Sequence, residues 1–190
     1  MISFYSPKEQ PYGPFSNFSR HEVFVFNRTW ATSEHPFQAL KFSPHRPDLV
    51  AKVGHAPTPG TAARLGRDRS FPLRDDWDLS PSASMWKRVT GDIPNPDDGI
   101  DRQGLVPEAT VHRTKDLIMY EVVYAKFTQH QDLTDLLLGT GDQSIVEAAE
   151  HDPYWGWGPS RNGLNKLGRI LMAVRTVLQT GNIEGVPFRS

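Results

Sequence analysis

The sequence predicts a mainly helical α+β fold, a single domain over residues 1–190 with a small sheet. Three observations carry that reading. Leu167, Leu171, Val174 and Leu178 recur on one helical stripe, and Leu117, Tyr120, Tyr124 and Phe127 on another. The stretches "ISFY" and "EVFVF" have the aromatic and β-branched make-up of short strands. The order of elements suggests a mostly helical α+β domain rather than alternating βαβ units. With 190 residues and 37% hydrophobic content, the chain can fill one good-sized core and is short for two domains.

Taken in order, "ISFY" opens the chain as a strand, and "PYGPFSNFS" reads as a loop because Pro, Gly, Ser and Asn favour turns. Phe15 and Phe18 are too apolar to sit in that loop without contacts. "EVFVF" forms a second strand, with a turn at Asn27-Arg28 before Thr29 and Trp30. The stretch "WATSEHPFQALKF" starts a helix capped by Thr32 or Ser33, and Pro36 is tolerated in its first turn, where N–H groups lack intrahelical acceptors. This helix ends near Pro44. "APTPGTAARLG" supplies Thr58 as N-cap, Pro59 at the first helical position and Gly66 as the stop.

Residues 80–111, rich in Pro, Gly and Asp, read as an insertion loop longer than ordinary connections. Beyond it come the helix through "HRTKDLIMYEVVYAKF" and a shorter one carrying Leu133, Leu136 and Leu137, closed by Gly139. "SIVEAAE" fits a strand or a helical turn equally. "HDPYWGWGPSRNG" is a loop bearing two tryptophans, and the last helix stops at Gly181.

Composition excludes several chemistries. The net charge of −1 provides no bulk attraction to duplex nucleic acid or a membrane surface, so an anion site must be local. The chain has no cysteine, which removes disulfides, thiolate metal sites and a cysteine nucleophile. Its start lacks the basic and apolar runs of a secretory signal, and a cytosolic protein is expected. The seven histidines lack HExxH or comparable spacing, so no metal site is expected. GxxxxGK[ST], GxGxxG after a strand and GxSxG are all absent, and no cofactor is implied.

What remains is a cluster of polar residues among aromatics. Glu34, Gln38 and Lys41 follow at intervals of four and three, so they share one helix face, while Phe37 and Leu40 point more toward the core. Such a face is either one wall of a pocket or a solvated surface with weak pairing. Phe15 and Phe18 are stacking surfaces for a planar base or a hydrophobic plug. Trp155 and Trp157 read as a pocket wall, with Gly156 allowing close backbone approach. Asp152 is either a desolvated acid beside that wall or the hydrogen-bonding residue of a turn. Arg64, Arg67, Arg69 and Arg74 form a candidate phosphate grip, against the alternative of scattered surface arginines. "SRNGLNKLGR" places Asn165 and Lys166 at a helix start, a common anion site.

The stretches "FSNF", "WATSEHPFQALKF", "LGR" at 65–67, "LLLGTGD", "DPYWGWG" and "GLNKLGRILMAVR" resemble, in order and over nearly the whole chain, the NADAR (NAD- and ADP-ribose-associated) domain family, also called YbiA-like. The resemblance implies a compact α+β fold and N-glycosidase activity on a ribose attached through an amine. Two substrate classes go with it: ribosylamine phosphates of riboflavin synthesis, and ADP-ribose on guanine bases of DNA or RNA. The second is the preferred expectation, on the arginine-rich "AARLGRDRS" and the long loop.

Carried over by motif, Glu34, Lys41 and Asp152 are the implied catalytic residues. Asn17, Trp155 and Asn165 also carry over by motif, and together with Phe15, Phe18, Trp30, His35, Gln38, Arg64, Arg67 and Gly156 they make up the candidate substrate-binding set. Pro36 departs from the resemblance, which calls for an aromatic there, usually tyrosine, and the 80–111 stretch is longer than in small bacterial members. A monomer is expected, with ADP-ribose or ribose phosphate as ligand and no membrane partner.

An amine beside carboxylates permits two routes. A ribose on an exocyclic amine can open to an imine, which Lys41 exchanges for its own Schiff base while Glu34 or Asp152 moves protons. Alternatively the ring stays closed and a carboxylate activates water, as in inverting glycosidases. The non-enzymatic alternatives are an ADP-ribose-binding module using the same surfaces and a structural interaction protein that buries its tryptophans in a partner.

Overall fold

A computed structural model of the chain describes residues 1–80 and 111–180. Among these, four short strands and six α-helices follow the order β1 (Ile2–Phe4), β2 (Val23–Val25), β3 (Arg28–Trp30), α1 (Glu34–Ala39), α2 (Pro47–Gly54), α3 (Pro59–Gly66), α4 (Thr114–Gln129), α5 (Gln131–Leu138), β4 (Ile145–Glu147) and α6 (Lys166–Thr180). The insertion at 80–111 falls almost wholly outside the described residues, as does the stop at Gly181. Leu79 and Thr114 nevertheless meet, the Thr114 N–H donating to the Leu79 carbonyl at 2.9 Å.

The small sheet is two separate ladders. β1 pairs in parallel with β4, Ile2 beside Ile145 and Phe4 beside Glu147, so "SIVEAAE" is a strand. β2 and β3 form an antiparallel hairpin with Val25 opposite Arg28. Its turn is Phe26-Asn27, one residue earlier than the sequence suggests, because both take left-handed φ (54° and 57°), as a two-residue hairpin of native twist demands.

Thr58 caps α3 as predicted, accepting from the Thr61 N–H. At α1 neither proposed residue caps through its side chain. Ser33 stands at the cap position in helical conformation, and the Glu34 N–H is taken by the Asn17 carbonyl instead. A loop residue thus completes the helix start. The helix α2, opened by Pro47, was not anticipated.

One hydrophobic core joins both halves of the chain, from Ile2 and Phe4 through Phe37, Leu117 and Tyr120 to Leu171 and Val174. α1 packs on α2 and α3, and α6 packs on α4 and β4. Among the described residues no helix is long and apolar enough to cross a membrane.

Lys126 on α4 lies inside this core, 1% exposed. Its Nζ donates to the Pro14 and Ser16 carbonyls and to Ser19 Oγ, the last two at 3.1 and 2.6 Å. The loop 14–19 therefore hangs on a buried ammonium. Removing the ammonium leaves these oxygens buried without a donor. Lys126→Met is expected to cost about 1–3 kcal/mol, read from the urea midpoint at unchanged slope. A midpoint equal to wild type would refute this role.

Candidate active site

The face carrying Glu34, Gln38 and Lys41 is not solvated. Their exposures are 5%, 3% and 8%, and all three line a cavity of about 300 Å³. Gln38 Nε2 donates to Glu34 Oε1 at 2.7 Å, which fixes the carboxylate along the helix. Lys41 sits in the single 3₁₀ turn that follows α1, its Nζ donating to the Gly66 carbonyl at 3.3 Å. The ammonium also lies over the rings of Phe37 and Trp77, 5.5 and 5.7 Å from their centroids.

Gly66 does more than end α3. A Cβ there would stand 2.0 Å from Gln38 Oε1, so the absent side chain makes room for the amide.

The opposite wall comes from the loop 14–19 and from the C-terminal third. Asn17 and Phe18 contribute from the first, Glu147 from β4, and Asp152 and Trp155 from the loop after it. Asp152 Oδ1 accepts the N–H groups of Tyr154 and Trp155 at 3.0 and 2.8 Å, so it shapes the turn and faces the cavity together. Trp155 meets Phe37 edge-on, centroids 5.2 Å apart. Arg67 and Arg69, both exposed, line the rim.

Electrostatics follow from this enclosure. Burial pushes the Glu34 carboxyl above its usual range, against the pull of Gln38 and Lys41. Burial also depresses the Lys41 ammonium to about 8; Glu34 opposes the shift, while Arg69 and Arg67 add to it. Glu147 is raised to about 8 by burial, with Asp152 and Glu34 adding their repulsion. An amine and two carboxyls are thereby brought toward neutral pH in one space.

Of the expected site residues, Glu34, Lys41, Asp152, Asn17, Phe18, Gln38, Arg67 and Trp155 line the cavity. Six do not. Phe15 is a core residue in edge contact with Phe4 and Phe127. Trp30 is buried with Nε1 on the Val25 carbonyl at 2.9 Å. His35 is held between Thr32 Oγ1 and the Ala56 carbonyl. Arg64 points to solvent away from the cavity, because α3 turns it off the face that Gly66 presents. Gly156 instead packs its backbone on β4, where a Cβ would approach the Glu147 carbonyl to 2.7 Å.

Asn165, expected at an anion site, stitches α6 to β4. Its Oδ1 accepts the Glu147 N–H at 3.0 Å and its Nδ2 donates to the Ile145 carbonyl at 2.8 Å. Its left-handed φ of 49° turns the chain into α6. Lys166 pairs with buried Asp116 at 3.3 Å.

Arg74 leaves the arginine group too, buried and forked onto Asp76. Trp157 is not a cavity wall and lies under Arg161, 4.6 Å from guanidinium to ring.

Sequence reasoning missed Ser16, Phe37, Met119, Glu147 and Leu167 as lining residues, and named Arg69 only within the arginine group. Phe37 serves core and cavity at once. Pro36 is buried in the first turn of α1 and is not among the lining residues. Among the described residues no group of three His, Asp or Glu side chains could hold a metal ion.

The model of the family described as "NADAR domain" matches residues 101–179. An N-glycosidase of Nostoc punctiforme is 38% identical over 167 residues, 87% of this chain and 85% of that protein. N-glycosidase YbiA of Escherichia coli K12 is 35% identical over 178 residues, 94% of this chain and 88% of its own. An NMR structure of E. coli YbiA aligns with a TM-score of 0.69 at 36% identity, covering 96% of this chain and 87% of that one. The maize chloroplastic riboflavin biosynthesis protein PYRR is 34% identical over 189 residues, 93% of this chain but 25% of that larger protein.

The Gly66 contact yields a test of the wall. Gly66→Ala forces Gln38 aside and releases Glu34 from its fixed rotamer, so turnover is expected to fall by up to about 100-fold. Steady-state kinetics beside a thermal melt checks this, and unchanged turnover in a folded variant would show that Gln38 does not position Glu34.

Proposed function

The chain belongs to the NADAR domain family and is a hydrolase of N-glycosidic bonds; as its substrate we propose a phosphorylated ribose joined to an amine, of the riboflavin-intermediate ribosylamine class. The observation that carries this reading is a buried lysine, depressed to about 8, beside a fixed glutamate in a cavity of about 300 Å³. That volume is at the low end for small-molecule sites and suits a sugar with its attached nitrogen. The likeness to the maize riboflavin protein over nearly all of this chain supports the same class.

The chemistry uses Lys41 as nucleophile. Opening of the N-linked ribose leaves C1′ doubly bonded to the still-protonated nitrogen and O4′ as a hydroxyl, the proton on O4′ coming from solvent and returning there when the sugar recloses. The neutral Lys41 amine adds to C1′, the substrate amine departs, and an imine between Lys41 and the sugar remains. Water adds to that imine and releases the sugar aldehyde, which recloses. Glu34 takes the proton lost by the attacking amine and returns it as Lys41 is freed. Asp152, fixed by its two backbone N–H groups, faces the cationic carbon. Arg67 and Arg69 at the rim offer forked donors to phosphate.

A second reading, removal of ADP-ribose from guanine in nucleic acid, is favoured by one observation. Both rim arginines are exposed, so one can hold a second phosphate outside the cavity while the base stays in solvent. Parallel incubation with the ribosylamine phosphate and with a guanine-ADP-ribosylated oligonucleotide, scored by product mass, decides between them. Release of ribose phosphate alone is the expected result. Release of ADP-ribose alone would establish the second reading, and ligand binding without either product would make the protein a reader.

The imine route adds a chemical test. Borohydride during turnover is expected to leave a reduced ribose adduct on Lys41, detected by peptide mass. Because burial lowers the lysine, the neutral amine accumulates as pH rises through about 8 rather than through the usual lysine range. Adduct formation should therefore rise between pH 7 and pH 8, well below the range in which an ordinary lysine loses its proton. Lys41→Arg keeps the charge and abolishes the adduct. Full turnover by that variant would point to the closed-ring route.

A further inference from the structure

The proposed reaction needs a proton on the departing amine, since an amide-like anion is a poor leaving group. Lys41 and Glu34 do not supply it, being engaged in attack. Glu147 is the remaining acid with the right placement. It lines the same cavity, and its Oε2 is sealed from solvent without a hydrogen-bond partner. Three further features hold it still. The Glu147 N–H donates to Asn165 Oδ1 at 3.0 Å, its carbonyl accepts the Trp157 N–H at 3.0 Å, and its Cα is in register with Phe4 across the β1–β4 ladder.

We propose that Glu147 is the general acid that protonates the leaving nitrogen. The inference rests on the N-glycosidase reading above and applies to either substrate class. As the C1′–N bond breaks, its electron pair stays on nitrogen, which takes the proton from the Glu147 carboxyl. Glu147 is left as a carboxylate and regains a proton from the water that attacks C1′ in the next step. Atoms balance with one water consumed, and no oxidant, reductant or metal is required.

The physical reason for a protonated carboxyl here is desolvation. An ionised carboxylate with an unpaired, water-excluded oxygen costs far more than a neutral one. Across the cavity Glu34 and Asp152 repel a further negative charge, while Lys41, Arg67 and Arg69 are the cations facing the same space. The carboxyl of Glu147 accordingly titrates near 8, so it holds its proton at neutral pH. Such a poised acid is what transfer to an amine near pH 7 requires.

The test compares wild type, Glu147→Gln and Glu147→Asp on whichever substrate the wild type turns over. Glutamine has nearly the shape of a protonated glutamate and carries no charge, so the fold should hold. The expected result for Glu147→Gln is a fall in kcat of about 100- to 10,000-fold. KM should change little, and the alkaline decline of wild-type kcat through pH 8 should be absent. Glu147→Asp is expected to recover part of the rate. An infrared carbonyl band of a protonated carboxyl, present at pH 7 in wild type and missing in Glu147→Gln, reports the proton without any substrate.

A kcat within about threefold of wild type in Glu147→Gln, too small a loss for a proton-transfer role, overturns the inference while leaving the N-glycosidase reading intact. So does persistence of the alkaline limb, or absence of the infrared difference. Wild-type protein that binds ribose phosphate and releases no product from either substrate overturns the functional reading, and the acid role with it.

Discussion

The withdrawal of Lys41 and Glu34 from water is the constraint on which the rest of the structure depends. A buried ammonium and a buried carboxylate each carry a desolvation cost of several kcal/mol, and their mutual attraction offsets it only when the surrounding dipoles are fixed. Here α1 and the 3₁₀ turn that follows it place both groups on one side, Gln38 donates to the acid, and the Gly66 carbonyl accepts from the amine. The consequence is chemical. Burial moves the lysine and the acid toward each other on the pH scale, which brings an amine and a carboxyl toward neutrality in one site.

Much of the remaining fold serves to hold the walls around that pair. The loop bearing Asn17 and Phe18 has little regular structure of its own, and the buried Lys126 supplies the donors its carbonyls lack. Asn165 performs the equivalent task on the other side, tying the start of α6 to both ends of β4 and so fixing Glu147. A third anchor is Asp116, which accepts from the Tyr154 hydroxyl at 2.6 Å and pairs with Lys166. Lys115 meanwhile covers the Tyr154 ring at 3.8 Å and pairs with Asp78. The tryptophan loop is thus pinned to the start of α4.

What could be read from the sequence was whatever depends on near neighbours. The 3.6-residue stripe of α6, the Thr58 cap with its glycine stop, and the shared face of Glu34, Gln38 and Lys41 all follow from spacing of a few residues. The α+β class followed from those same periods. Long-range facts were not legible. The pairing of Ile2 with Ile145 joins residues at opposite ends of the chain, and no local pattern announces it. Glu147 escaped notice because a glutamate in a three-residue strand looks like any exposed polar residue until the cavity closes over it. Asn165 misled for the opposite reason, since an asparagine at a helix start suits an anion and suits a left-handed turn equally. The solvated-face reading of α1 failed on burial, a quantity that only packing against α2 and α3 determines.

The surroundings depress the Lys41 ammonium while Glu34 restrains the shift. Titration of ¹³C-labelled lysines by NMR, with Lys41 assigned through Lys41→Arg, measures this directly. Lys41 is expected to titrate near 8, and lower still in Glu34→Gln, where the carboxylate no longer supports the charge. A Lys41 resonance that titrates with the ordinary lysines near 10.4, unaffected by Glu34→Gln, would contradict the account.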